Sequence, residues 1–247
     1  MSWGTLRRAV PVVTLPIIDV AAVTPRSRLL ALDLERTDFR YAPGQAVLVG
    51  DHGQSARRPY SIAVSPERAA ETRRLELLIG VDESGSAGPH LALAGRGGMV
   101  DVEGPIGTFT FPETLHHRRL LFVAGGTGIA PLRAMLDHAL RAHPAEQVSL
   151  LYSARRADEF AFADELRAYE RQGLIEFHPT VTRLDDGWSG GRGRIGRAHF
   201  EAVLHDRDDT LCFICGPQPL VSEAVATLAE LGVPRAAIRT EEWAAPR

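Results

Sequence analysis

The sequence predicts two domains, an antiparallel β-barrel or sandwich followed by an α/β domain on a doubly wound parallel sheet. Three observations predict it. Short alternating or apolar segments punctuated by glycine and proline fill the chain up to about residue 112. From residue 118 the rhythm changes to strand, helix, strand. Between them, residues 111–118 carry Pro112 and the adjacent His116 and His117, and read as a linker. The expected domains are 1–112 and 118–247.

In the first domain the expected strands are residues 16–23, 28–34, 46–50, 59–64, 75–81 and 99–103. Ala42-Pro43-Gly44, Asp51-His52-Gly53 and Asp82-Glu83-Ser84-Gly85 are turn signals between them. A short helix is expected at 89–94. In the second domain residues 120–124 form a wholly apolar strand and 131–143 a helix. A strand at 148–153, a helix at 158–172, and strands at 175–181 and 210–215 follow. A last helix at 217–231 ends at Gly232 in the C′ position.

Composition narrows the chemistry. Of 247 residues, 45% are hydrophobic and 24% charged, which suits a globular chain with a real core. All 28 basic residues are arginine. The lack of lysine excludes Schiff-base chemistry, a lysine base and a P-loop. Every fixed cation is instead a planar fork suited to phosphate and carboxylate. A net charge of -3 gives no broad footprint for nucleic acid. No apolar run approaches the roughly 20 residues that span a bilayer. Residues 1–8 lead into no signal-peptide core, so a cytoplasmic chain is expected.

Cys212 and Cys215 are the two cysteines, too few for a disulfide scaffold or an iron–sulfur cluster. Three apart on a strand, they point to opposite faces and should not bridge. His116 and His117 diverge on an extended segment with no carboxylate pattern, so no metal site is expected.

Two local signals carry ligand chemistry. Residues 120–124 run directly into Gly125-Gly126-Thr127-Gly128-Ile129-Ala130-Pro131. Glycines permit a tight turn and close approach of backbone to a ligand. Pro131 suits the first helical turn, and the helix N-terminus favours an anion such as a pyrophosphate. Proline replaces the third glycine of the dinucleotide fingerprint, and no acid follows about 20 residues on. A plain tight βα turn is the alternative. The second signal is Arg58-Pro59-Tyr60-Ser61. On a strand Arg58 and Tyr60 share one face and Ser61 takes the other. A guanidinium, an aromatic face and a hydroxyl can together address a phosphate and a flat ring, and an ordinary barrel strand with one aromatic and two arginines is the alternative.

The combination is specific where each motif is not. Arg58-Pro59-Tyr60-Ser61, Gly104-Pro105-Ile106-Gly107-Thr108-Phe109, the Gly125 turn, Cys215-Gly216-Pro217 and Glu241-Glu242-Trp243 occur in that order. Ala42-Pro43-Gly44-Gln45 and Trp188-Ser189-Gly190 fit the same pattern. The ordered set resembles the ferredoxin–NADP reductase family of flavoenzymes along nearly the whole chain.

The resemblance implies a six-stranded antiparallel flavin barrel followed by the NAD(P)-binding sheet. It places the Arg58-Pro59-Tyr60-Ser61 stretch on flavin: Arg58 on a phosphate, Tyr60 on the ribityl chain and ring, Ser61 near N5. Gly85, Ser86, Ala87 and Gly88 match the second phosphate loop, where the family usually has a hydroxyl residue in place of Gly88. FAD is favoured, with FMN as the alternative. Gly125, Gly126, Thr127, Gly128 and Pro131 are implied for the nucleotide. Cys215, with Gly216 and Pro217, is implied beside the nicotinamide as an orienting group. Glu241 is implied at the flavin edge with Ser61, and Trp243 near the ring or in a solvent-facing tail. Ser61, Cys215 and Glu241 are thus the expected catalytic set.

Thr182 and Arg183, with Arg155 on the preceding strand, are candidates for the 2′-phosphate of NADP(H). Arg192 or Arg194 could add a further cation. Arg183 is also open to a pyrophosphate contact or a solvated role, so NAD(H) stays open. The implied activity passes hydride from NAD(P)H to flavin and electrons on to a separate ferredoxin, flavodoxin or oxygenase component. The alternative is a flavin-binding electron-transfer or scaffolding subunit of a larger complex that does not itself use NAD(P)H.

Overall fold

The structure is a computed structural model describing residues 10–142, 145, 147–183 and 187–243. Alternation builds its first sheet from β1 (Val12–Thr24), β2 (Ser27–Asp33), β3 (Ala46–Asp51), β4 (Arg58–Ser61), β5 (Arg74–Gly80) and β6 (Met99–Ile106). Their order is β4-β3-β6-β1-β2-β5, antiparallel throughout. Just beyond β4, Ile62 bridges Leu77 and the Ala63 N–H donates to the Glu76 carbonyl at 2.8 Å, which closes the barrel. Inward residues such as Leu15, Ile17, Val47, Val49, Leu77 and Val102 fill it.

The helix α1 (Pro66–Thr72) was not among the expected elements. Ser65 caps it, accepting from the Arg68 N–H at 3.1 Å, and Pro66 starts it. The helix expected at 89–94 is a single 3-10 turn, Pro89–Leu91.

The second sheet comprises β7 (Arg119–Gly125), β8 (Gln147–Ala154), β9 (Glu176–Val181), β10 (Gly191–Arg192), β11 (Thr210–Pro217) and β12 (Ile238–Trp243). All pair in parallel, in the order β10-β9-β8-β7-β11-β12. Its helices are α2 (Ile129–Ala142), α3 (Ala163–Arg171), α4 (Arg197–Val203) and α5 (Gln218–Glu230). Phe122 and Ala124 share a core with α2 and α3, while Leu121 and Val123 face α4 and α5. Cys215 lies in the first of these cores and Cys212 in the second, on opposite sheet faces as their spacing requires.

The helix expected at 158–172 is divided. A 3-10 turn at Ala157–Glu159 is followed by extended Phe160, and Phe162 at φ +61° leads into α3. Packing overrides helical continuity there. Phe160 meets Tyr152 edge-on and stacks on Trp188, and the Arg133 guanidinium lies 4.2 Å over the Phe162 ring.

The segment expected as a linker begins inside a core. Phe111 is buried and stacks on Phe213 with centroids 5.5 Å apart. A polar seam also joins the sheets. Arg133 of α2, 7% exposed, donates to the Ala63 carbonyl at 2.7 Å and pairs with Glu76 at 2.6 Å and Glu165 at 2.7 Å. Beside it, Asp137 accepts from Arg68 and Ser65. Among the described residues no helix is long and apolar enough to cross a membrane.

Candidate active site

Strand order reverses between β7 and β11, and ligands of doubly wound sheets bind outside the carboxyl ends at such a switch point. The Gly125–Gly128 turn and the Cys215–Pro217 segment meet there. A Cβ on Gly128 would stand 2.2 Å from the Cys215 carbonyl oxygen. One on Gly125 would stand 2.9 Å from Pro217 Cδ. These glycines therefore let two chain segments touch, a packing demand that stands beside the ligand approach expected of them. Gly126 adopts φ +55°, and its carbonyl accepts from the Tyr152 hydroxyl at 3.0 Å. Thr127 is half-buried, and Pro131 is the third residue of α2 and buried.

Pairing of β11 with β12 sets Cys215 opposite Glu241. The end of β4 brings Ser61 to the same place. One carboxylate oxygen, Glu241 Oε2, accepts from Ser61 Oγ at 3.4 Å and from Cys215 Sγ at 3.8 Å. Burial pushes the Glu241 carboxyl up, against the pull of the Ser61 and Cys215 hydrogen bonds. Burial and the facing carboxylate push the Cys215 thiol up as well. Cys215 is thus a buried neutral thiol, which suits packing and orientation and not nucleophilic attack. Glu241 also borders a cleft with Gly107, Thr108 and Arg239.

A second cluster lies on the barrel. Arg58 and Pro59 are exposed, Tyr60 and Ser61 half-buried. The Tyr60 hydroxyl is 2.6 Å from His90 Nε2, and the two rings stack at 15°. Burial pushes the phenol up to about 12, so it stays protonated. Around the loop, Arg58 Nη1 lies 4.0 Å from where a Cβ of Gly88 would sit, and Arg28 Nη2 lies 3.5 Å from that of Gly85. Ser86 Oγ folds back to accept from the Gly88 N–H at 3.1 Å, and Ala87 packs on the barrel core. Two guanidiniums beside a loop with an open glycine cradle are the donor set that a diphosphate requires. The residues present therefore fit FAD. Arg28 and His90 are additions to the sequence reading. Arg28 is the second residue of β2 and pairs with Ile79 near the end of β5, a placement that local pattern does not contain.

Residues 14–111 match the family described as "Oxidoreductase FAD-binding domain", and residues 122–226 match "Oxidoreductase NAD-binding domain". Over 239 residues the chain is 34% identical to ferredoxin–NADP reductase B of Sorangium cellulosum, covering 91% of this chain and 96% of that one. The chain belongs to the ferredoxin–NADP reductase family. It is an oxidoreductase with FAD-binding and NAD-binding domains. It is also 33% identical over 177 residues to methane monooxygenase component C of Methylosinus trichosporium, covering 69% of this chain and 48% of that one. A solved ferredoxin NADP+ reductase from Neisseria gonorrhoeae superposes with a TM-score of 0.77 at 23% identity. That match covers 94% of this chain and 98% of the other, and shows the shared fold.

In this ferredoxin–NADP reductase fold the candidate nucleotide cations sit at adjacent strand ends. The Arg183 N–H donates to the Arg155 carbonyl at 3.0 Å and the Thr182 N–H to the Ala154 carbonyl at 3.0 Å, and the Arg155, Thr182 and Arg183 side chains are exposed. β10 lies beside β9 and brings Arg192 opposite Val181, where Arg192 donates to the Trp188 carbonyl at 2.7 Å. Arg194 is drawn away to Glu223 at 3.5 Å. Trp243 pairs with Pro217 through its strand backbone, and its side chain lies outside the described residues.

Proposed function

We propose that this chain takes hydride from NAD(P)H onto FAD and passes electrons to a separate protein acceptor, a ferredoxin, flavodoxin or oxygenase component. The observation that carries the reading is the single Glu241 oxygen facing both Ser61 of the barrel and Cys215 of the second sheet. Residues 1–112 hold the flavin and residues 118–247 the nucleotide. When bound, FAD supplies the hydride acceptor and one-electron release.

The chain's own residues bind, orient and manage protons. Arg58 and Arg28 hold the flavin diphosphate with Gly85, Ser86, Ala87 and Gly88 beside it. Tyr60 and Pro59 line the flavin, and Ser61 directs its hydroxyl to the ring edge. Glu241 holds or relays a proton through Ser61. Cys215 with Gly216 and Pro217 packs the nicotinamide, and Gly125, Gly126, Thr127, Gly128 and Pro131 shape the turn beneath the nucleotide. Thr182 and Arg183, with Arg155 and Arg192 beside them, take the 2′-phosphate, which favours NADPH. The acceptor class rests on the ferredoxin and monooxygenase relatives, and the two free thiols suit a cytoplasmic setting.

Anaerobic stopped-flow mixing of the flavin-loaded protein with NADPH and NADH in parallel tests this. Flavin bleaching by a nicotinamide, followed by recovery on adding oxidised ferredoxin, is the expected result. A flavin that neither nucleotide bleaches would overturn it and favour a subunit that does not use NAD(P)H.

A further inference from the structure

The loop from Asp82 to His90 uses up most of its own donors. Asp82 Oδ1 accepts from the N–H groups of Ser84 and Ser86, each at 2.9 Å. The Gly85 N–H donates to the Asp82 carbonyl at 3.0 Å, and the Gly88 N–H to Ser86 Oγ at 3.1 Å. Gly88, at φ +101°, contributes no side chain. The loop backbone therefore offers an anion few free donors.

One polar atom beside it is unused. His90 is 2% exposed, and its Nδ1 is buried without a hydrogen-bond partner among the described residues. Native proteins seldom leave such a nitrogen unsatisfied, because burial strips its water and returns nothing. Its direction is defined. Nδ1 is the atom nearest to where a side chain at position 88 would begin, at 3.5 Å, and Arg58 Nη1 lies 4.0 Å from the same point. The other ring nitrogen is taken, since Nε2 lies 2.6 Å from the Tyr60 hydroxyl. With the Tyr60 hydroxyl as the donor to Nε2, the ring proton sits on Nδ1, aimed at the cradle.

We propose that His90 binds the flavin's phosphate through Nδ1–H, in the space left open by Gly88, while Nε2 fixes the Tyr60 hydroxyl. The imidazole then serves two parts of the cofactor at once. Arg58 supplies the charge, and His90 supplies a directed donor that the loop backbone has already spent elsewhere.

Two substitutions separate the nitrogens. Asparagine keeps a donor near the Nδ1 position, and glutamine keeps a polar atom near Nε2. His90→Gln should weaken FAD binding by the apoprotein roughly 10- to 100-fold, the size expected for a hydrogen bond to a charged group. His90→Asn, which keeps the phosphate donor and gives up only the Tyr60 contact, should lose distinctly less affinity than His90→Gln, by at least about threefold. Riboflavin, which lacks phosphate, should bind the parent and His90→Gln alike, as read by quenching of flavin fluorescence. Unchanged FAD affinity in His90→Gln, equal loss in both variants, or the same loss for riboflavin would overturn the proposal. If His90→Gln does not fold, the FAD-loaded parent decides. With histidine 15N-labelled, a protonated Nδ1 coupled to 31P across the hydrogen bond is expected, and an uncoupled Nδ1 would refute it.

Discussion

Glu241 Oε2 stands 3.4 Å from Ser61 Oγ, although 180 residues separate the two in the chain. The contact joins the last residue of a barrel strand to a strand of the parallel sheet. If the two act as one proton-handling unit, Ser61→Ala and Glu241→Gln should each slow flavin reduction by NAD(P)H. The double variant should fall short of the summed losses by about 0.5–3 kcal/mol. Stopped-flow rates across the four proteins measure this, and additive losses would show that the residues act apart.

Cys215→Ala should keep bound flavin and slow its reduction. A thiol that packs the nicotinamide matters through position, and a displacement of ~1 Å can cost about 100-fold. Parent-like reduction rates would leave Cys215 a core residue only.

Arg183→Ala should raise the dissociation constant for NADPH by about one to two powers of ten, the size of a lost charged hydrogen bond. The constant for NADH should hardly move. Titration with both nucleotides decides, and equal losses would mean that Arg183 reads the part they share. A parent chain that prefers NADH would refute the 2′-phosphate assignment.

Arg133→Met should lower stability by about 3 kcal/mol, because it strands Glu76 at a largely buried seam and leaves Glu165 to Arg68. Denaturant unfolding reads the change. Equal midpoints for parent and variant would show that the Arg133 pairs give no net stabilisation.

Asp101 supplies a pH dependence. Burial opposes its charge, but hydrogen bonds from His52, Thr14 and the Gly53 N–H outweigh burial and hold the carboxyl down at about 2. The folded value is depressed below the ordinary ~3.9, so the contribution is present above pH ~4 and is lost as pH falls towards ~2. After solvent screening it should amount to about 1–2 kcal/mol. Asp101→Asn should remove that portion of the acid sensitivity. Identical stability-versus-pH curves for parent and variant between those values would exclude it.

Alternation and glycine punctuation foretold most strands. They missed α1, α4, β10 and β12, which are short or exposed on one face and carry weak periodicity. The helix expected at 158–172 failed for another reason. Its apolar residues Phe160 and Phe162 satisfy partners on other elements, Trp188 and Arg133, that no window of sequence contains.

The order of motifs along the chain carries the family resemblance, and it is that resemblance which implies Arg58, Tyr60, Ser61, Cys215 and Glu241 as site residues. The spacing of Cys212 and Cys215 likewise determined that they face opposite cores, since side chains on a strand alternate. Only the tertiary structure decided that one Glu241 oxygen serves both Ser61 and Cys215, that Arg28 turns towards the Gly85 loop, and that His90 is buried with one nitrogen unpartnered among the described residues. Those relations depend on how two sheets dock and a barrel closes, and they rest on contacts between residues far apart in sequence, which local propensity cannot encode.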